Sequence, residues 1–361
     1  MRVDLGGNHG RWVFLFGIPR SGTTWIGKIF DSHPGTLYKH EPDTFTFLEA
    51  MPWLPDVAEA EKLRPMASHF LSLLPHINTA YVAATLPVFP KEFCSRWQFG
   101  LHLCSVLTAK LGKKMAGEFP VLPMVDYGKI PGLCVVWKSV TSLGRLGVFL
   151  RVARERRAVV IIRHPCGVIA SIKRSGLPGV HFRSDPSEDY GLFELMARSG
   201  PGRRHQITVE NLRTMLPIER LAWRWVLLYE KVIEDTEGVE GVSLVRYEDI
   251  CLDTKRSIRK MFEFCGLSWS SQTEEFIERS TKVKEVRGWN PMRMLEARPG
   301  YFSIFRDPVD SATKWRSQLS PEEVERIYGV LGRSDLLRFY PRVEEFCWKA
   351  NPEPTCGTPP E

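Results

Sequence analysis

Residues 12–28, Trp-Val-Phe-Leu-Phe-Gly-Ile-Pro-Arg-Ser-Gly-Thr-Thr-Trp-Ile-Gly-Lys, constrain the fold more than any other stretch of the chain. An apolar run of strand character ends at Gly17, and a helical pattern of Trp25, Ile26, Ile29 and Phe30 begins after Thr24. A strand, a short Gly-containing loop and a helix N-terminus aim backbone N–H groups and the positive end of a helix dipole at one spot. That geometry suits a phosphate or a sulfate. Gly17 and Gly22 have the spacing of the nucleoside-triphosphate loop G-x-x-x-x-G-K-[ST], but Thr23 stands where that motif carries its Lys. Arg20 is the only cation inside the loop.

Three further apolar runs, at 134–137, 158–162 and 242–245, repeat the pattern of strand, turn and helix. Together with 12–16 they predict βαβ units around a parallel sheet. Helical periodicity is read at 148–157, 221–233 and 254–265. Between 45 and 130 the pattern changes to Pro-rich, helix-like sequence (58–74 and 91–111), which predicts a helical insertion covering the site. Residues 176–210, rich in Gly, Arg, Asp and Ser, read as a mobile loop.

Composition excludes several classes. The 361 residues are 43% hydrophobic and 25% charged, with no apolar run of membrane-spanning length. The first strand begins within a dozen residues, so no signal peptide is read, and scattered Cys in apolar runs lead one to expect a reducing cytoplasm. The eight Cys contain no C-x-x-C pair, which argues against a zinc site or a disulfide scaffold. A net charge of +7 reads either as a solvated surface or as Arg and Lys lining a site for a polyanionic ligand, and its spread among 42 acids argues against nucleic acid.

A second anion site is read at 159–171. Arg163 ends a buried parallel strand, where open α/β sheets bind ligands, and Ser171 follows two helical turns after the Pro165 turn. Arg offers a bidentate fork to a phosphate and Ser a hydroxyl. Two anion sites at two strand ends imply a ligand with two separated anionic groups.

With Pro19-Arg20-Ser21-Gly22-Thr23-Thr24-Trp25 and the Arg163/Ser171 pair in place, the chain resembles the sulfotransferases that use 3′-phosphoadenosine 5′-phosphosulfate (PAPS). Val245-Arg246-Tyr247-Glu248-Asp249, Phe264-Cys265-Gly266-Leu267, 281–286 and Arg306-Asp307-Pro308 run in that family's order. The resemblance implies an α/β fold of three layers with a central parallel sheet, P-loop-NTPase-like, with the helical insertion at 45–130. It implies one domain over 1–345 and a C-terminal tail at 346–361. It also implies roles. Arg20, Ser21, Gly22, Thr23 and Thr24 would hold the 5′-phosphosulfate, and Arg163, Ser171 and Arg306 the 3′-phosphate. Trp25, Tyr247 and Thr281 would meet the adenine. Val283 replaces a Phe common in cytosolic members, implying a looser adenine pocket.

Cytosolic steroid and phenol sulfotransferases place a His two residues beyond a strand-end Lys. Here Lys138-Ser139-Val140 keeps the Lys and lacks the His. The carbohydrate and tyrosylprotein branch instead places a Glu about twenty residues after the loop, and Glu41 of His40-Glu41-Pro42 stands there. The resemblance thus implies Glu41 as general base, with His40 as the second candidate, and Lys138 as a cation on the leaving phosphate. No metal is required, since Arg and Lys supply the positive charge. The acceptor would be a small molecule, carbohydrate or other hydroxyl- or amine-bearing compound. Trp53, Phe70, Tyr81, Phe89, Phe93, Trp97 and Phe99 are read as its candidate pocket or as helical core. An NTP-dependent kinase or phosphotransferase, and a non-catalytic nucleotide-binding member, are the alternative readings. Oligomeric state is not legible.

Overall fold

The computed structural model of the chain describes residues 10–44, 48, 50–83, 85–116, 120–175, 185–281, 304–305 and 307–342, with the backbone alone at 111–116 and 175. Five strands, β1 (Arg11–Gly17), β2 (Thr36–His40), β3 (Cys134–Ser139), β4 (Arg156–Ile162) and β5 (Val242–Arg246), form one sheet in the order β2-β3-β1-β4-β5. Every neighbouring pair is parallel. All carboxyl ends therefore lie along one edge.

Side-chain alternation divides the core into two layers, because successive residues of a strand point to opposite faces. Phe14, Phe16, Val135, Trp137, Val160 and Ile162 enter one apolar cluster. Val13, Leu15, Cys134, Val136, Val159 and Ile161 enter the other. The central strands are buried on both faces, which explains why they read as continuous apolar runs. Each such side chain contributes about 1.5–3 kcal/mol by burial.

Helix α1 (Thr23–Ser32) follows β1, and the insertion carries α2 (Ala60–Leu73), α3 (Ala80–Ala83) and α4 (Arg96–Ala116). Next come α5 (Leu146–Val152), α6 (Pro165–Ser175), α7 (Tyr190–Arg198), α8 (Gly200–Arg204), α9 (Val209–Thr214) and α10 (Pro217–Thr236). After β5 lie α11 (Tyr247–Leu252), α12 (Thr254–Phe264), α13 (Ser271–Thr281), α14 (Pro308–Thr313) and α15 (Pro321–Leu331). Leu63 and Phe70 of α2, Phe149 of α5 and Trp223 and Trp225 of α10 pack in the first cluster. Ile26 of α1, Phe262 of α12 and Phe276 of α13 pack in the second. The chain is a three-layer α/β structure with a helical insertion, as the sequence led one to expect.

Two expectations need correction, and one strand was not foreseen. The helix read at 148–157 ends at Val152, and β4 starts at Arg156. The segment read as a mobile loop is helical over most of 190–210, where Asp189, Ser199 and Thr208 cap α7, α8 and α9. These caps are the Asp and Ser/Thr residues that had read as loop composition. Strand β2 was not foreseen, because Lys39 and His40 break its apolar pattern, yet all five of its residues are buried.

Candidate active site at the carboxyl edge of the sheet

The loop after β1 is built by left-handed backbone at two positions. Gly22 has φ 88°, and Arg20 has φ 73°, a conformation uncommon for a residue with a side chain. A Cβ at Gly22 would collide with the ring of Tyr247, so this position needs glycine for space as well as for angle. Gly22 stands at the N-cap of α1, where no side chain caps the helix and no acid lies in its first turn. The Ser21 side chain is fully buried, and its Oγ has no hydrogen-bond partner. An orphaned buried hydroxyl at an uncapped helix N-terminus, in a loop with a cation, offers a donor set that suits a phosphate-type anion. Thr23 is buried and Thr24 exposed beside it.

The second anion motif meets the first directly. Arg20 Nε donates to Ser171 Oγ at 2.9 Å. Arg163 donates through one terminal nitrogen to the Arg20 carbonyl at 2.7 Å and through the other to the Ser311 carbonyl at 2.6 Å. Its guanidinium carbon lies 4.8 Å from the Tyr247 ring centroid. Arg163 and Ser171 thus do not pair with each other here; each is bound to Arg20. The end of β4 is fixed from below, since Trp225 Nε1 donates to the Arg163 carbonyl and Tyr229 Oη to the Ile161 carbonyl.

Trp25 is buried, meets Tyr247 edge-on at 6.4 Å, and donates its indole N–H to Ser280 Oγ at 3.1 Å. Thr281 ends α13 and turns its hydroxyl back to the Ile277 carbonyl at 2.8 Å. Arg306, Val283 and the tail at 346–361 lie outside the described residues.

On the other side of β1, strand register sets Lys138 beside both Leu15 and His40. Glu41 follows His40 with φ 46° and donates its backbone N–H to the Lys138 carbonyl at 2.8 Å. Its Oε1 accepts from Lys138 Nζ, and its Oε2 accepts from Tyr81 Oη at 2.5 Å. The Lys138 side chain is 1% exposed and that of Glu41 12%. Burial would raise the Glu41 pKa, but the Lys138 ammonium, His40 and the two hydrogen bonds together outweigh it and hold the carboxyl down to about 2. His40 is carried down to about 3 by burial first and then by Lys138, so its ring is neutral. Its Nδ1 is 3.0 Å from Tyr38 Oη.

Asp43 and Tyr81 are the side chains at this edge that the sequence left out or assigned elsewhere. Buried Asp43 accepts from Trp137 Nε1 at 3.1 Å, from Ser142 Oγ at 2.7 Å, and from the hydroxyls of Ser139 and Thr141. It thereby ties the turn after β2 to the turn after β3 and holds Glu41 against Lys138. The run Ser139-Val140-Thr141-Ser142, dense in hydroxyls at a strand end, was the available signal.

The other aromatics of the insertion do not gather into one wall. Phe70 joins the central core 4.9 Å from Trp137, Phe89 packs on Phe276 and Phe93 on Tyr127. Trp97 is exposed, and Trp53 lies under the Arg145 guanidinium. Among the described residues no group of His, Cys, Asp and Glu could hold a metal ion, and no helix is long and apolar enough to cross a membrane.

Known proteins resemble the chain over most of its length. The model of the "Sulfotransferase family" matches residues 13–238, and that of the "Sulfotransferase domain" matches residues 209–333. The chain is 23% identical over 329 residues to nodulation protein NoeE of Sinorhizobium fredii, covering 90% of this chain and 64% of that protein. It is 21% identical over 351 residues to carbohydrate sulfotransferase 4 of Mus musculus, covering 89% of this chain and 79% of that one. The chain therefore spans less than two thirds of the nodulation protein's length. Among solved structures, the sulfotransferase domain from the curacin biosynthetic pathway is similar at 16% identity and TM-score 0.41, with 90% of this chain and 99% of that chain covered.

Proposed function

The chain belongs to the sulfotransferase family, and from that premise we propose that it moves a sulfuryl group from PAPS to a hydroxyl or amine of an acceptor, with Glu41 as general base. The observation that carries this reading is the shared edge. A cation-bearing anion loop with an orphaned hydroxyl opens between two strand ends, one carrying Arg163 and the other the buried Lys138–Glu41 pair. Bound in the loop, PAPS supplies the sulfuryl group and leaves as adenosine 3′,5′-bisphosphate (PAP).

Each residue then has a physical task. Backbone N–H groups of the loop, with Ser21, Gly22, Thr23 and Thr24, hold the 5′-phosphosulfate. Arg20 neutralises charge where it develops on oxygen. Arg163, Ser171 and Arg306 serve the 3′-phosphate, and Trp25, Tyr247 and Thr281 the adenine side. Arg163 also keeps Arg20 in its left-handed conformation through the Arg20 carbonyl. Lys138 is a cation already in contact with the base. As its ammonium is drawn to an anionic leaving oxygen, Glu41 loses the strongest influence lowering its pKa and gains basicity toward the acceptor proton. His40, neutral and buried against Tyr38, is the second candidate base.

The family supports a sulfuryl acceptor but not its identity, and carbohydrate chemistry is what the names of two relatives print. A screen of alcohols, phenols, sugars and amines with radiolabelled PAPS tests the reading. Wild type should label at least one acceptor, and Glu41→Gln should label none while still binding PAP. Full labelling by Glu41→Gln would move the base to His40 or beyond.

A further inference from the structure

Both oxygens of Glu41 are engaged, and their partners come from different parts of the fold. Lys138 belongs to the sheet, while Tyr81 belongs to α3 of the insertion, which packs on β2. The Tyr81 ring lies 5.4 Å from that of His40, so the phenol is anchored on the strand that delivers the base. Burial, and next the Glu41 charge, push the phenol pKa up, so Tyr81 stays an O–H donor. An acceptor alcohol must present the same O–H to the same carboxylate.

We infer that Tyr81 guards the base: its hydroxyl occupies the proton-accepting oxygen of Glu41 until an acceptor displaces it, and so denies that place to water. The inference rests on Glu41 being the base for PAPS. The reaction held off is hydrolysis. Water would give a proton to Glu41 as its oxygen bonds to sulfur, and the sulfur–oxygen bond to the phosphate would break with its electron pair on PAP, releasing hydrogen sulfate. Tyr81 is here a positioning residue, acting through Glu41.

The test compares wild type, Tyr81→Phe, Glu41→Gln and the double variant without acceptor. Free sulfate released from PAPS is one readout. The other, in ligand-free protein, is carbodiimide-driven amidation of Glu41 with a small amine, located by peptide mass spectrometry. Tyr81→Phe keeps the ring packing, and it should raise sulfate release by about tenfold and speed amidation. Adding Glu41→Gln should return sulfate release to the wild-type level or below. Unchanged release together with unchanged amidation overturns the guard, as does a rise that survives Glu41→Gln. A sulfated Tyr81 in the peptide map overturns it too, since the phenol would then be an acceptor. If PAP gives wild type no thermal shift, the donor reading fails, and Glu41 amidation alone then decides the guard.

Discussion

The two halves of the site are balanced in opposite ways. On the loop side, between β1 and β4, Arg163 donates to two backbone carbonyls, Arg20 donates to the Ser171 hydroxyl, and the buried Ser21 Oγ is unpartnered. Between β2 and β3 the carboxylates are paired within the fold, Glu41 with Lys138 and Tyr81, Asp43 with one indole and three hydroxyls. In the proposed reading, the loop side receives the anionic donor. In the proposed reading, the base side gains basicity when Lys138 turns from Glu41 to the leaving group. The proposal thus sets, along one edge of the sheet, an anion site beside a base whose strength depends on what is bound next to it.

The largest effect expected from breaking this contrast is Glu41→Gln. It should lower turnover by about 10²–10⁴-fold, the usual contribution of a positioned base, while PAP affinity measured by calorimetry stays near wild type. A parallel loss of PAP binding would mean the halves are not separable. Gly22→Ala should act the other way, abolishing PAP binding because its Cβ meets the Tyr247 ring and its backbone is left-handed.

Asp43→Ala strips the shared acceptor from four buried or half-buried donors, and a loss of about 3 kcal/mol is expected. Chemical denaturation reads it directly; a loss below 1 kcal/mol would mean the turns are held otherwise.

Acidity sharpens the contrast further. Glu41 has a folded pKa of about 2, below its ordinary 4.5, so its ionic contribution to stability is complete above the unfolded value and is lost as pH falls from 4.5 through 2. The stability difference between wild type and Glu41→Gln should narrow over that window. A difference independent of pH would contradict the Lys138 pairing.

The smallest effect belongs outside both halves. Arg198 pairs with Glu194 and Arg204 with Glu230 and Glu234, so these arginines are already engaged within the chain. Arg198→Ala should change kcat/KM by less than about twofold, in line with an exposed pair.

The loop side was legible because its instructions are local: a strand, two glycines and a helix start within one short stretch. The same holds for Arg163 at the end of β4. What could not be read is the exchange of partners, Arg20 with Ser171 and Arg163 with the Arg20 carbonyl, since it depends on the spacing of two strands. The base side was legible only in part. Family resemblance singled out Glu41 and Lys138, but β2 itself stayed hidden because Lys39 looks like a loop residue. In the fold, Lys39 Nζ donates to the Ile77 carbonyl and Asn78 Oδ1 of the insertion, and burial lowers its pKa to about 7. A strand whose polar residues find partners forty positions away leaves no periodic signal. Tyr81 was grouped with acceptor aromatics for the same reason, its partner being set by tertiary contact alone.

Calorimetric titration of the wild-type protein with PAP, repeated with Mg²⁺ and ATP, tests the central claim most directly. Saturable PAP binding that needs no Mg²⁺ and is lost in Arg20→Ala is the predicted result. Absence of PAP binding, with Mg²⁺-dependent binding of ATP in its place, would contradict it.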